Sequence, residues 1–301
     1  MKPIITMTLI SAMTAMSAIA LPPYPKAPSD GTVDDYFGHK VADPYRPLED
    51  DTASVTTDWV NTENRITREY LEAIPFRGKL AERLTKLNNF AKIGVPSKGK
   101  DGKYYWSAND GLQNQNVIYR SDKPYGEAEV VLDPNSLSDD GTVALTGLVI
   151  SPDGKYIAYT ISRSGSDWTE IFVLDAKTLK PLPDHIEWAK FTGAEWNGDG
   201  FYYSAYPRPE AGKEFSNANE YHSVYFHRLG TPQSEDKVVF ENRQEPLRFH
   251  LAGMTEDLRY LYIYGSGQGT GNMMLVKRAD DPKAEFTVIE PTQEKEIHLV
   301  G

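Results

Sequence analysis

The stretch "SPDGKYIAYT", residues 151–160, decides the fold. An Asp-Gly pair, Asp153-Gly154, stands between two runs of apolar and β-branched residues, which is a strong hairpin signal. The arrangement recurs. "KDGKYYWS" begins at Lys100, "WNGDGFYYSA" at Trp196 and "TEDLRYLYIY" at Thr255, each an acidic turn followed by a Tyr-bearing strand pattern. The turn aspartates, Asp101, Asp153, Asp199 and Asp257, are 52, 46 and 58 residues apart. Leu258 stands where the other copies have Gly, which weakens the fourth copy. Each hairpin is followed by a further strand-like run: "NVIYRSD", "EIFVLDA", "SVYFHRL" and "NMMLVKR". "EVVLDPN" and "DKVVFEN" supply closing strands. A four-stranded unit repeating at this period is the pattern of a β-propeller blade. An all-β sandwich is the competing architecture, but it does not require one turn to recur four times in the same place.

Outward from the repeat, the longest gap is explained by "PRPEAGKEFSNANE" (207–220), read as a polar loop within the third unit. "QEKEIHLVG", at the chain end, alternates like the first strand of a fifth unit. A ring ending there would leave an open strand edge, so the expectation is a front portion of something longer. Upstream of the repeat the period changes. In 54–74, Val55, Trp59, Ile66, Tyr70, Leu71 and Ile74 recur at helical spacing, with Thr56 or Thr57 as a possible cap. A second helical run, 76–90, carries Leu80, Leu84 and Leu87 on one face. The reading is mainly β: an arm with two helices over 21–92, then about four blades and the start of a fifth over 93–301.

The first twenty residues, "MKPIITMTLISAMTAMSAIA", differ from the rest. A charged start, a short apolar run and an Ala-Ile-Ala end are the parts of a secretory signal peptide, expected to be cleaved after Ala20. The run is shorter than a bilayer span and is interrupted by Thr and Ser, so no membrane association is expected after cleavage. The chain has no cysteine, which excludes disulfides, thiolate nucleophiles and a lipidated cysteine. Export without disulfides fits a bacterial periplasm or a secreted protein. The 301 residues carry 32 Lys and Arg against 43 Asp and Glu, a net charge of −11. Such a surface repels phosphate backbones, so nucleic acid is not an expected partner.

The chemistry is sparse. There is no G-x-S-x-G elbow and no phosphate-binding glycine loop. The six histidines, at 39, 185, 222, 227, 250 and 298, show no H-E-x-x-H spacing and read as ordinary polar or turn residues. "LSDDGTVAL" (137–145) lacks calcium-loop spacing and reads as a turn. Neither a metal nor a cofactor is expected. "RSGSDWTE" (163–170) puts Ser166 beside Gly165 and Asp167, the kind of stretch that invites a nucleophile reading. Ser and Asp between two strands commonly bond their own backbone, so Ser166 is read as a turn residue and Trp168 as the packing residue that opens the next strand.

Several longer stretches carry a family resemblance: "DYFGHKVADPYRPLED" (35–50), "NDGLQNQNVIY" (109–119), "LDPNSLSDDGTVAL" (132–145), "SPDGKYIAY" (151–159) and "SGSDW" (164–168). Together, and in this order, they resemble the N-terminal half of the prolyl oligopeptidases, from Tyr24 to the chain end. Pro47 departs from the aromatic residue usual in the family. The resemblance implies an incomplete seven-bladed propeller that caps a C-terminal α/β-hydrolase domain carrying the Ser, Asp and His of the triad. It implies a monomeric serine peptidase acting after proline in short peptides, with none of its catalytic residues in this chain. It also implies that Phe191, in "WAKFTGAEW", forms an apolar wall for a substrate residue beside the proline, and that Phe249, in "EPLRFHLAG", is a second apolar pocket position where related enzymes carry Met. A third pocket region corresponds to "GSGQGTGN" (265–272), which lacks the family's Arg. The alternative is a stand-alone propeller-like binding protein without catalytic activity.

Overall fold

The computed structural model describes residues 24–210, 218–267, 269–281 and 283–300. The expected signal peptide and part of the 207–220 loop lie outside them. The chain divides into two compact units, with the boundary between Arg83 and Leu84.

The first unit opens with a hairpin of β1 (Val33–Tyr36) and β2 (His39–Ala42). Its two turn residues, Phe37 and Gly38, both have positive φ, the geometry that matches strand twist. Pro47 lies in the first turn of a 3-10 segment (Arg46–Glu49), where a missing N–H costs nothing. Its carbonyl accepts the hydroxyl of buried Thr56. Helix α1 (Ser54–Glu72) follows. Neither threonine caps it. The N-cap is Ala53, and the Asp50 carboxylate accepts the N–H groups of Thr52 and Ala53 ahead of the first turn. The helix thus starts three residues earlier than a Thr56 cap, and four earlier than a Thr57 cap, would require. Helix α2 (Arg77–Asn88) straddles the unit boundary. Its apolar residues, Leu80, Leu84 and Leu87, are each about half exposed. Among the described residues no helix is long and apolar enough to cross a membrane.

The second unit is built of antiparallel meanders. The first contains β3 (Lys92–Ile93), β4 (Ser97–Lys98), β5 (Tyr104–Asn109), β6 (Val117–Ser121) and β7 (Glu129–Leu132), with β3 and β4 both paired to β5. The second runs β8 (Val143–Ile150), β9 (Tyr156–Arg163), β10 (Trp168–Asp175) and β11 (Pro181–Lys190). The third runs β12 (Glu195–Asn197), β13 (Gly200–Ala205), β14 (Ser223–Arg228) and β15 (Lys237–Phe240). The fourth runs β16 (Phe249–Met254), β17 (Tyr260–Ser266), β18 (Met273–Arg278) and β19 (Thr287–Glu290). One ladder pair, Ala189 with Ala205, stitches the second meander to the third.

Each meander packs face to face on the next, and strand alternation decides which residue faces which neighbour. Ile157 and Ile161 of β9 meet Tyr105 and Val131 of the first meander, while Ala158 joins Ile171, Ile186, Trp196, Phe201 and Tyr203 toward the third. Tyr202 points the other way, onto Leu261, Ile263 and Leu275 of the fourth. Burial on both faces explains the nearly continuous apolar runs of β9 and β13. Fully burying each large aliphatic side chain in these seams stabilises the unit by about 2 kcal/mol. This is blade-on-blade packing of an incomplete β-propeller.

The repeated turns carry the predicted chemistry with two differences. Gly154 has φ +71°, and a Cβ there would lie 2.7 Å from Asp101, so the second turn needs glycine for both conformation and approach. In the third copy the left-handed residue is Gly198, one place before Asp199, because Asn197 pairs with Gly200 and leaves a two-residue loop. In the fourth, Leu258 adopts the left-handed state itself (φ 60°), held by the Asp257 carboxylate, which accepts Arg259 N–H and the Thr255 hydroxyl. Residues 291–300 form no strand. Their backbone is held instead by Asn272, whose side chain bonds both the N–H and the carbonyl of Ile297.

Candidate functional site

Within an antiparallel meander alternate connections lie at opposite ends. The Asp-bearing turns occupy one end. The β9–β10 turn, the β11–β12 and β15–β16 connections, and the ends of β13 and β17 occupy the other. The sequence-predicted side chains gather at that second end.

Strand β11 ends at Lys190, and Phe191 turns outward at φ 50°, a left-handed state that a bulky residue adopts only when its surroundings impose it. Its ring is 47% exposed. Phe249 opens β16 with its ring centroid 5.5 Å away. Residues 58 apart in sequence are thus neighbours. Register places Trp168 opposite Lys190, so the buried lysine stem carries its ammonium 4.8 Å from the Trp168 ring and 5.4 Å from Phe191. Asp167 stands 3.7 Å from that ammonium. Tyr206 packs edge-on to Trp168 and 4.5 Å from the His222 ring.

Below this surface His222 and His250 are fully buried. The Nε2–H of His222 donates to the Lys190 carbonyl (2.9 Å), and its Nδ1 accepts the His250 N–H (2.9 Å). The Nδ1–H of His250 donates to the His222 carbonyl (2.6 Å). Burial pushes the His222 pKa down to about 4 and lowers that of His250. Sequence reasoning took these histidines for polar or turn residues. They are core residues, and so is His227.

The His227 ring lies between two buried carboxylates, with Nδ1 2.8 Å from Asp236 and Nε2 3.2 Å from Asp184. Tyr203 and the Gly230 N–H donate to the same carboxylates. With an acceptor at each nitrogen, the ring is held as a cation. Burial pulls its pKa down, but the bonds and charges of Asp236 and Asp184 outweigh burial and hold it above the usual value. The carboxylates sit on opposite sides of the ring, an arrangement for structure rather than for binding an ion. Among the described residues no group of three or more His, Asp or Glu side chains is arranged to hold a metal.

Ser166 is a turn residue. Its N–H donates to the Arg163 carbonyl (2.9 Å) and its Oγ accepts the Trp168 N–H (3.1 Å), closing a hairpin whose central residues, Ser164 and Gly165, are left-handed. "LSDDGTVAL" is likewise a turn, with the Asp140 carboxylate accepting the N–H and hydroxyl of Thr142. The 265–272 region has no arginine of its own, but one lies against it. Buried Arg248 packs against Gly265, reaches the Met273 sulfur (2.8 Å) and pairs with Glu245. Sequence reasoning missed Arg248, Lys190 and His222. For Lys190 the sequence carries no usable signal, because the β10–β11 ladder that sets it opposite Trp168 shifts register twice between its turn and that pair.

Comparison with known proteins gives this end of the molecule its context. The family model described as prolyl oligopeptidase, N-terminal beta-propeller domain, matches residues 24–301. A prolyl endopeptidase of Elizabethkingia miricola is 41% identical over 292 residues, covering 96% of this chain and 41% of the relative. That of Elizabethkingia meningoseptica is 44% identical over 256 residues, covering 84% and 36%. The structure of prolyl oligopeptidase B from Galerina marginata bound to a 35mer hydrolysis and macrocyclization substrate superposes with TM-score 0.73 at 29% identity, over 91% of this chain and 42% of that one. This chain therefore spans about two fifths of the length of the curated relatives it matches. With four stacked meanders and a match over nearly its whole length, the chain belongs to the prolyl oligopeptidase family, of which it is the N-terminal β-propeller portion.

Proposed function

We propose that this chain is the arm and propeller portion, 21–92 and 93–301, of an exported serine oligopeptidase that cleaves short peptides after proline. In this reading residues 1–20 direct export to the periplasm or beyond and are removed. The propeller covers the active site of a C-terminal α/β-hydrolase domain and admits small substrates. Phe191 and Phe249 offer an apolar wall to the substrate residue beside the proline, and the triad belongs to the hydrolase domain.

One observation carries the reading: two aromatic rings 5.5 Å apart, one of them half-exposed in a strained backbone state, at the loop end of the propeller. Left-handed Phe37 sits in a two-residue hairpin turn, whereas left-handed Phe191 stands at a strand end beside a second aromatic ring, an arrangement that suits binding. The half-exposed leucine face of α2 supports a hydrolase domain packing on the arm, and it counts against a stand-alone binding protein.

The test is peptide binding and turnover by the purified chain. A fluorescein-labelled Ala-Phe-Pro-Ala peptide is expected to bind more tightly than Ala-Ser-Pro-Ala, with the preference lost in Phe191→Ala, and no cleavage is expected. Cleavage by this chain that disappears in Ser166→Ala would overturn the assignment of the chemistry to another domain.

A further inference from the structure

His222 makes no polar contact with either phenylalanine, yet its ring joins the two backbone segments that carry them. Its Nε2–H meets the carbonyl of Lys190, the residue immediately before Phe191. Its Nδ1 meets the amide of His250, the residue immediately after Phe249. The His250 ring returns a bond to the His222 carbonyl, so the two backbones are tied twice. Both phenyl rings stand edge-on to the imidazole, at 6.3 and 6.5 Å. Lys190 faces the ring from β11, Tyr206 from the segment after β13, and His250 from β16, with Arg248 and Glu245 behind it. The left-handed backbone of Phe191 begins at the very carbonyl the imidazole holds.

We propose that His222 is the positioning residue of the aromatic wall, a neutral Nε2–H imidazole strut that sets the spacing of Phe191 and Phe249. The inference rests on the proposed role of those two rings in substrate recognition. Only one tautomer serves. A proton on Nδ1 would face the His250 N–H donor, and loss of the proton from Nε2 would leave the Lys190 carbonyl without its donor. A leucine of similar volume fills the space but strands both backbone groups. A glutamine offers one donor and one acceptor and can bridge them.

Two measurements on the 301-residue chain test this. The first is 15N NMR of the imidazoles at pH 7. The expected result is a neutral His222 protonated at Nε2; a cationic ring or an Nδ1–H tautomer would overturn the proposal. The second compares binding of the labelled Ala-Phe-Pro-Ala and Ala-Ser-Pro-Ala peptides to the parent chain, Phe191→Ala, His222→Leu and His222→Gln. His222→Leu should weaken the Phe-bearing peptide about fivefold or more and abolish ring-to-ring NOEs between Phe191 and Phe249, while His222→Gln restores both. Full peptide preference and intact NOEs in a folded His222→Leu would refute the strut. If that variant does not fold, loss of the NOEs in a folded His222→Gln would refute it as well. A parent chain without peptide preference, or a Phe191→Ala variant that retains it, would sink the reading of the wall instead, and the tautomer and NOEs would still judge the strut.

Discussion

Acidification should weaken the propeller unit through its buried histidines His222 and His250, and the share of His222 can be isolated. His222 is fully buried, both its nitrogens are committed, and burial pushes its pKa from 6.5 to about 4. Because the folded value is depressed, the unfolded chain takes up the proton first as pH falls. Stability is therefore lost from about pH 6.5 downward, and the loss levels off below the folded value. The full shift is worth about 3 kcal/mol, with about 2 kcal/mol already lost at pH 5. Other groups titrate over the same range, so the informative quantity is a difference. Urea unfolding of the parent chain and His222→Gln, followed by tryptophan fluorescence at intervals from pH 7.5 to pH 4, isolates it. Glutamine does not titrate, so the parent chain should lose about 2 kcal/mol more than the variant between pH 7.5 and pH 5, whatever the variant's starting stability. Parallel pH curves for the two proteins would refute the reasoning, because His222 would then be as easily protonated in the folded state as in the unfolded one.

Asp236→Asn removes one of two carboxylates from a buried cation and should cost about 3–5 kcal/mol, read as a lower urea midpoint. The pKa of His227 is raised, so its stabilisation is complete below about pH 6.5 and is lost as pH rises through its folded value; His227→Gln should flatten that alkaline limb. Leu258→Gly replaces a left-handed leucine with the residue used at the equivalent turns, and the relief of about 1–2 kcal/mol exceeds the added unfolded-state entropy, giving a net gain of about 0.5–1 kcal/mol in thermal unfolding. Ser166→Ala removes one acceptor in a turn and should cost about 1 kcal/mol in urea unfolding while leaving peptide binding unchanged.

What could be read from the sequence was whatever local chemistry determines. Asp-Gly turns, two-residue loops and helical spacing act within a few residues, and so the four meanders and both helices were legible. The α1 start is not legible because Thr56 and Thr57 both suit a cap, whereas the helix begins behind Ala53, which has no side-chain cap, with Asp50 holding the turn ahead of it. The double-sided burial of β9 was not legible, because it arises from neighbouring meanders on both faces. Phe191 and Phe249 could be singled out through resemblance alone. No local pattern announces that residues 58 positions apart share a surface, and nothing about a histidine just ahead of β14 signals that it will join them.

Left-handed backbone has different meanings at Leu258 and at Phe191, and what holds each residue tells them apart. Leu258 sits in a turn that elsewhere uses glycine, held by an aspartate that bonds the same local backbone in the second copy. Its strain is a tolerated departure from a repeat, and a glycine should remove it without loss. Phe191 has no equivalent turn, and the carbonyl before it is held from the third meander by His222. Exposed, strained and externally braced, it is maintained against both the hydrophobic effect and its own backbone preference. On the proposed reading the ring is needed where it stands, and substitution there should show in binding rather than in stability.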